Sequence, residues 1–162
     1  MTSGPIPPNG PGIEELLEQE RRLVLPAADP LTLHAIGTAL YDAAVSRGLP
    51  LAVQVRSGER LVYAAAAPGS SAVNDRWATR KARVVHLFER SSLLVRRQHE
   101  QDGEDFHVKQ QLPGDLYAPH GGAFPLRVAN VGLIGSVVVS GLPQVEDHAF
   151  IIEILTAFLA AR

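Results

Sequence analysis

The chain has 162 residues, 46% of them hydrophobic, and a formal net charge of −2 at pH 7. That length buries one core and is short for two, while the slightly acidic balance argues against a nucleic-acid-binding face. The absence of cysteine excludes disulfides, thiolate metal sites and cysteine nucleophiles, and fits a reducing compartment.

Residues 1 to 12, rich in Pro and Gly, read as a disordered tail, and residues 13 to 162 as a single domain. The first residues lack the basic and apolar regions of a signal peptide, and no apolar run reaches the roughly 18 residues of a membrane span. A soluble, cytoplasmic protein without membrane or nucleic-acid partners is therefore expected. IEELLEQE predicts a short acidic helix with Ile13, Leu16 and Leu17 on one side, followed by the apolar patch Leu23-Val24-Leu25 that Pro26 stops. Asp29-Pro30 predicts the start of a second helix with Leu33, Ile36, Leu40 and Ala44 as its stripe, ended by Gly48. LAVQVR and RLVYAAAA, separated by SGE, predict a hairpin.

Asn74-Asp75 is expected to cap a basic helix that runs to about Arg90, with room to continue to Gln101 before Gly103 breaks it. FHVKQQL alternates well enough for an edge strand, and AFPLRV and GLIGSVVVSG predict two further strands joined at Ala129-Asn130. Three consecutive valines, Val137 to Val139, mark a central strand buried on both faces. A last helix after Pro143 carries Glu146 and Asp147 in its first turn and turns Ile151, Ile152, Leu155 and Leu159 inward. This order predicts an α+β fold: a five-stranded antiparallel sheet with helices packed on its faces.

The basic helix holds the most informative residue. Stepping by about 100° per residue places Trp77, Ala82, Val84, Val85 and Phe88 on one arc, with Lys81 inside it and Arg80 at its edge. A buried ammonium loses its hydration at a cost of several kcal/mol or more, so an anion is expected to answer it. His120-Gly121-Gly122, at the mouth of a strand, is either a pocket rim, where glycine lets backbone approach a ligand, or a tight loop that happens to contain a histidine. Ser140-Gly141 leads a strand into a helix N-terminus, where anions are often held; capping or turn formation is the plainer role of Ser140. His148 falls on the buried side of the last helix, as a core histidine or as part of a cavity with Lys81. The remaining histidines lack the spacing of a closed metal site, and no metal is expected.

NDRWATRKARVVHLFERSS, HGGAFPLRV and GLIGSVVVSGLP, with the closing Asp147-His148, resemble the haem-degrading-domain family, in the branch related to the GlcG and HbpS proteins. The resemblance covers roughly residues 15 to 162. It implies a three-layer α/β/α sandwich of profilin-like topology, homo-oligomers, and binding of haem or a related tetrapyrrole. The family's helix motif falls on Asn74, Trp77, Arg80 and Lys81, its glycine loop on His120, Gly121, Gly122 and Pro125, and its terminal motif on Ser140, Gly141, Asp147 and His148. With no C-x-x-C-H, any haem would be held non-covalently.

The sequence is compatible with three functions. In a binding module, Arg80 and Lys81 would pair with carboxylates of an anionic ligand, such as haem propionates or an organic acid, with Trp77 and Phe124 as an apolar wall and His120 as the axial or polar contact. In an enzyme degrading haem or converting another small molecule, Lys81 or His120 would act as acid or base. In a structural oligomer, Lys81 would pair with Asp147, Glu146 or a chain terminus.

Overall fold

The computed structural model describes residues 9–162. Its elements are α1 (Ile13–Arg22), α2 (Pro30–Ser46), β1 (Ala52–Ser57), β2 (Arg60–Ala66), α3 (Ala72–Phe88), α4 (Ser92–Asp102), α5 (Phe106–Gln110), β3 (Ala123–Val128), β4 (Gly132–Ser140) and α6 (Gln144–Ala160). The strands form one antiparallel sheet in the order β2-β1-β4-β3, so the triple-valine strand is interior. Helices α2 and α6 pack on one face and α3 on the other.

The two-residue period of the strands assigns each valine to a layer. Val137 and Val139 join Val53, Val55, Phe124 and Leu126 against Leu33, Ile36, Leu40, Ile151 and Leu155 in the main core. Val138 turns to the opposite face and packs with Ala123, Ala78, Ala82 and Val85 beneath α3. Phe124 is fully buried on the main-core side, which stabilises the fold by roughly 1.5–3 kcal/mol. Small residues on the α3 side let that helix lie close to the sheet, and this brings its polar flanks to the strand ends.

Among the described residues the sheet has four strands, not five. FHVKQQL folds as the short helix α5, because Asp105 caps it by accepting from the Val108 N–H at 3.0 Å and Phe106 is buried beside Val84 and Val95. The apparent alternation there reflects a single anchoring aromatic. Leu25 makes an isolated parallel bridge to Val128, which covers part of the β3 edge. The basic helix is also shorter than its charge run. It ends at Glu89, in the left-handed region at φ 56°, and Ser91 starts α4 by accepting from the Leu94 N–H at 3.2 Å. Its N-cap is Ser71, with Asn74 as the reciprocal capping-box residue that accepts from the Ser71 N–H at 2.9 Å. Asp29 caps α2 as expected, accepting from Thr32 N–H at 2.7 Å.

The expected tail falls partly outside the described residues, at positions 1 to 8. Asn9 to Gly12 lie against α4, where the Arg97 guanidinium donates to the carbonyls of Pro11, at 3.3 Å, and Asn9. Among the described residues no helix is long and apolar enough to cross a membrane.

Candidate functional site

Lys81 is buried, with 3% of its surface exposed, and its partner comes from the same chain. Its Nζ donates to Asp147 Oδ2 at 2.9 Å and to the Val139 carbonyl at 3.2 Å. Asp147 stands in the first turns of α6, and its Oδ1 accepts from the Leu142 N–H at 2.9 Å. Burial pushes the Lys81 ammonium below its ordinary range, and Asp147 works against that push. Burial likewise pushes the Asp147 carboxyl up, opposed by Lys81 and by the backbone N–H groups of Leu142 and Gly141. The pair exchanges hydration for a short ion pair and joins α3, β4 and α6 at one point.

The glycine turn is shaped by this pair. Gly122 adopts φ 127°, and a Cβ there would lie 2.6 Å from both Lys81 Nζ and the Val139 carbonyl. Gly121 donates its N–H to Gln144 Oε1 at 3.0 Å, and a Cβ on it would lie 2.3 Å from the Gln144 carbonyl. Both glycines therefore let the turn close over Lys81 and the start of α6; their backbone approaches protein rather than open space.

Beside the pair is a cavity of about 270 Å³ lined by Asn74, Trp77, Lys81, His120, Ser140, Gly141, Leu142, Gln144 and Asp147. Five of the expected ligand-binding residues outside the buried cation thus converge: Asn74, Trp77, His120, Ser140 and Gly141. His120 is half-buried, with its ring edge-on to Trp77 at 5.2 Å between centroids. Its Nδ1 faces Arg96 Nη1 at 3.4 Å; a guanidinium only donates, so Nδ1 accepts and the proton of the neutral ring sits on Nε2. Burial, then the nearby charges of Arg96, Lys81 and Arg80, lower its pKa to about 4. At neutral pH it is an uncharged donor.

Other expected site residues lie elsewhere. Phe124 is in the main core on the far face of the sheet and forms no wall of the cavity. Arg80 places its guanidinium 4.3 Å from the Trp77 ring centroid and donates to the Gly114 carbonyl at 2.6 Å, which stiffens that wall from outside. His148 is a core residue: its Nε2 donates to Gln19 Oε1 of α1 at 2.7 Å, and burial lowers its pKa to about 4. Sequence reasoning missed Leu142 and Gln144 as lining residues and gave Asp147 only an architectural role. The signal for Asp147 was its place one helical turn before Ile151, a carboxylate in an apolar stripe that mirrors the misplaced lysine. Among the described residues no group of three or more His, Asp or Glu side chains could hold a metal ion.

The family model for HbpS-like haem-degrading proteins matches residues 31–156. The chain belongs to this family. A UPF0303 protein of Streptomyces avermitilis is 45% identical over 159 residues, spanning 98% of this chain and 96% of its own length. Among solved structures, the Ybr137w protein superposes with a TM-score of 0.83 at 25% identity, covering 92% of this chain and 88% of that one. PduOC, solved as a haem complex, superposes with a TM-score of 0.66 at 20% identity over 84% and 95% of the two chains. At that identity the likeness to PduOC concerns the fold alone. The α+β architecture is thus that of the HbpS-like family, on a sheet of four strands.

Proposed function

We propose that this HbpS-like domain binds a compact ligand bearing a carboxylate or similar oxygen acceptor in the cavity beside the His-Gly-Gly turn. The observation that carries the reading is a half-buried, neutral His120 whose Nε2–H is uncommitted among the described residues, facing a small space that Asn74 and Ser140 also line. Lys81 is not the ligand's counter-charge, since Asp147 already answers it. His120, Asn74 and Ser140 supply orientation, Trp77 supplies the apolar wall, and Arg80 and Arg96 add positive potential nearby.

These residues favour a small ligand over haem. A space of about 270 Å³ lies at the low end of ligand cavities, and a tetrapyrrole with two propionates is a larger body that would extend beyond it. The His120 tautomer set by Arg96 also leaves a donor, not a lone pair, on Nε2. Binding is favoured over catalysis because Ser140 and His120 share no hydrogen bond among the described residues, so no nucleophile and base are paired. A single domain over residues 13 to 162, self-association and a cytoplasmic location complete the proposal; light scattering and cell fractionation test the last two.

Thermal shift and calorimetry with acetate, pyruvate, oxalate and hemin test the site. Saturable binding of a small carboxylate that His120→Ala weakens about tenfold is expected, the size of one lost hydrogen bond to a charged group. Stoichiometric hemin binding with a Soret shift, together with no carboxylate binding, would overturn the reading.

A further inference from the structure

A second cavity, of about 420 Å³, lies along the opposite flank of α3, between that helix and the β1–β2 hairpin. Its walls include Arg56 and Glu59 from the hairpin, Arg83 and His86 from α3, and Tyr117 from the segment before β3. The period of the sheet puts Gln54, Arg56 and Ser136 on the α3 face, because Gln54 pairs with Val138 and Arg56 with Ser136.

The charges here are fixed in place but not neutralised. Arg56 donates from Nη2 to Gln54 Oε1 at 3.0 Å and from Nη1 to the Glu59 carbonyl at 3.1 Å, while its Nε is buried without a partner. Arg83 donates from Nη1 to the Leu116 carbonyl at 3.1 Å. All three acceptors are neutral oxygens, and among the described residues neither arginine forms an ion pair. His86 Nε2 is 2.9 Å from Ser136 Oγ, a hydroxyl with no exposed surface, which anchors the ring while no hydrogen bond among the described residues engages Nδ1. Glu59 is the one carboxylate in the wall, so the lining carries two guanidinium charges against one.

Two arginines held by neutral acceptors beside an open cavity form a site for an oxyanion, since a guanidinium presents several donors in a plane that matches carboxylate and phosphate oxygens. We propose that this cavity is an anion-binding site for the carboxylate or phosphate group of a small molecule, with Arg56 and Arg83 as its charged donors and His86 and Tyr117 as further polar contacts. It shares no lining residue with the cavity beside Lys81 and stands independently of the function proposed there.

The test follows the arginine Nε–Hε signals of the isotope-labelled full chain by NMR at constant ionic strength, titrating inorganic phosphate, malonate and chloride separately. Saturable shifts of Arg56 and Arg83 with phosphate or malonate are expected, and whichever anion binds more tightly assigns the group. Arg83→Gln should weaken that binding about tenfold while His120→Ala leaves it unchanged. Because Arg83 is exposed, its variant is expected to fold even if Arg56→Gln does not. Non-saturating shifts shared by chloride and spread over the surface arginines, or saturable binding that Arg83→Gln leaves intact, would overturn the proposal.

Discussion

On one flank of α3 the Lys81 ammonium reaches Asp147 at 2.9 Å within the same chain; on the other, Arg56 and Arg83 meet only neutral oxygens. Both flanks gather positive charge next to a cavity, yet the first is closed electrostatically and the second is open. A buried cation with its own carboxylate is architecture, and the groups left to recognise a ligand there are the uncharged ones. Where two guanidinium groups outnumber the one carboxylate beside them, recognition falls to the charges themselves.

The largest expected effect comes from opening the closed flank. Lys81→Met strands the Asp147 carboxyl in the interior and should cost about 3–5 kcal/mol of stability, read from the urea midpoint. A smaller effect comes from the imidazoles. His148 and His120 protonate near pH 4 in the folded chain and near 6.5 when unfolded. Between those values the unfolded state binds more protons, so stability rises with pH through the window, is complete above about 6.5 and is lost towards 4. Fully buried His148 should contribute on the order of 2–3 kcal/mol and half-buried His120 less, because solvent screens it. His148→Gln should flatten the profile between pH 4 and 6.5, and an unchanged profile would contradict the burial assigned to that ring.

Gly122→Ala places a methyl against Lys81 Nζ and the Val139 carbonyl at positive φ, with an expected loss of about 1–3 kcal/mol in the same assay. A loss no larger than that of an exposed loop glycine would separate the turn from the ion pair. The smallest effect belongs to the open flank, where Arg83→Gln should change stability by no more than about 0.5 kcal/mol. A larger loss would make that arginine part of the fold and erase the contrast.

Much of the architecture is legible in the chain. Asp29-Pro30, the three valines and the buried position of Lys81 each follow from a period or a cap that local chemistry enforces. FHVKQQL misleads because seven loosely alternating residues fit a short capped helix as well as a strand, and the Asp105 cap with the burial of Phe106 decides between them. Phe124 misleads for a related reason: strand alternation puts it on the face opposite Ala123, while its neighbours in the chain, His120 to Gly122, suggest proximity to the cavity. The cavity at Arg56 and Arg83 was not legible at all. It forms from a hairpin and a helix whose approach depends on Ala78, Ala82 and Ala123 being small, and no local pattern encodes that distance.

The central claim, that Asp147 and not a ligand is the anion Lys81 requires, is tested most directly by a double-mutant cycle of Lys81→Met and Asp147→Leu under urea denaturation. The double variant should be more stable than the sum of the single losses implies, with a coupling of about 1–3 kcal/mol. Additive losses, with no coupling between the two positions, would contradict it.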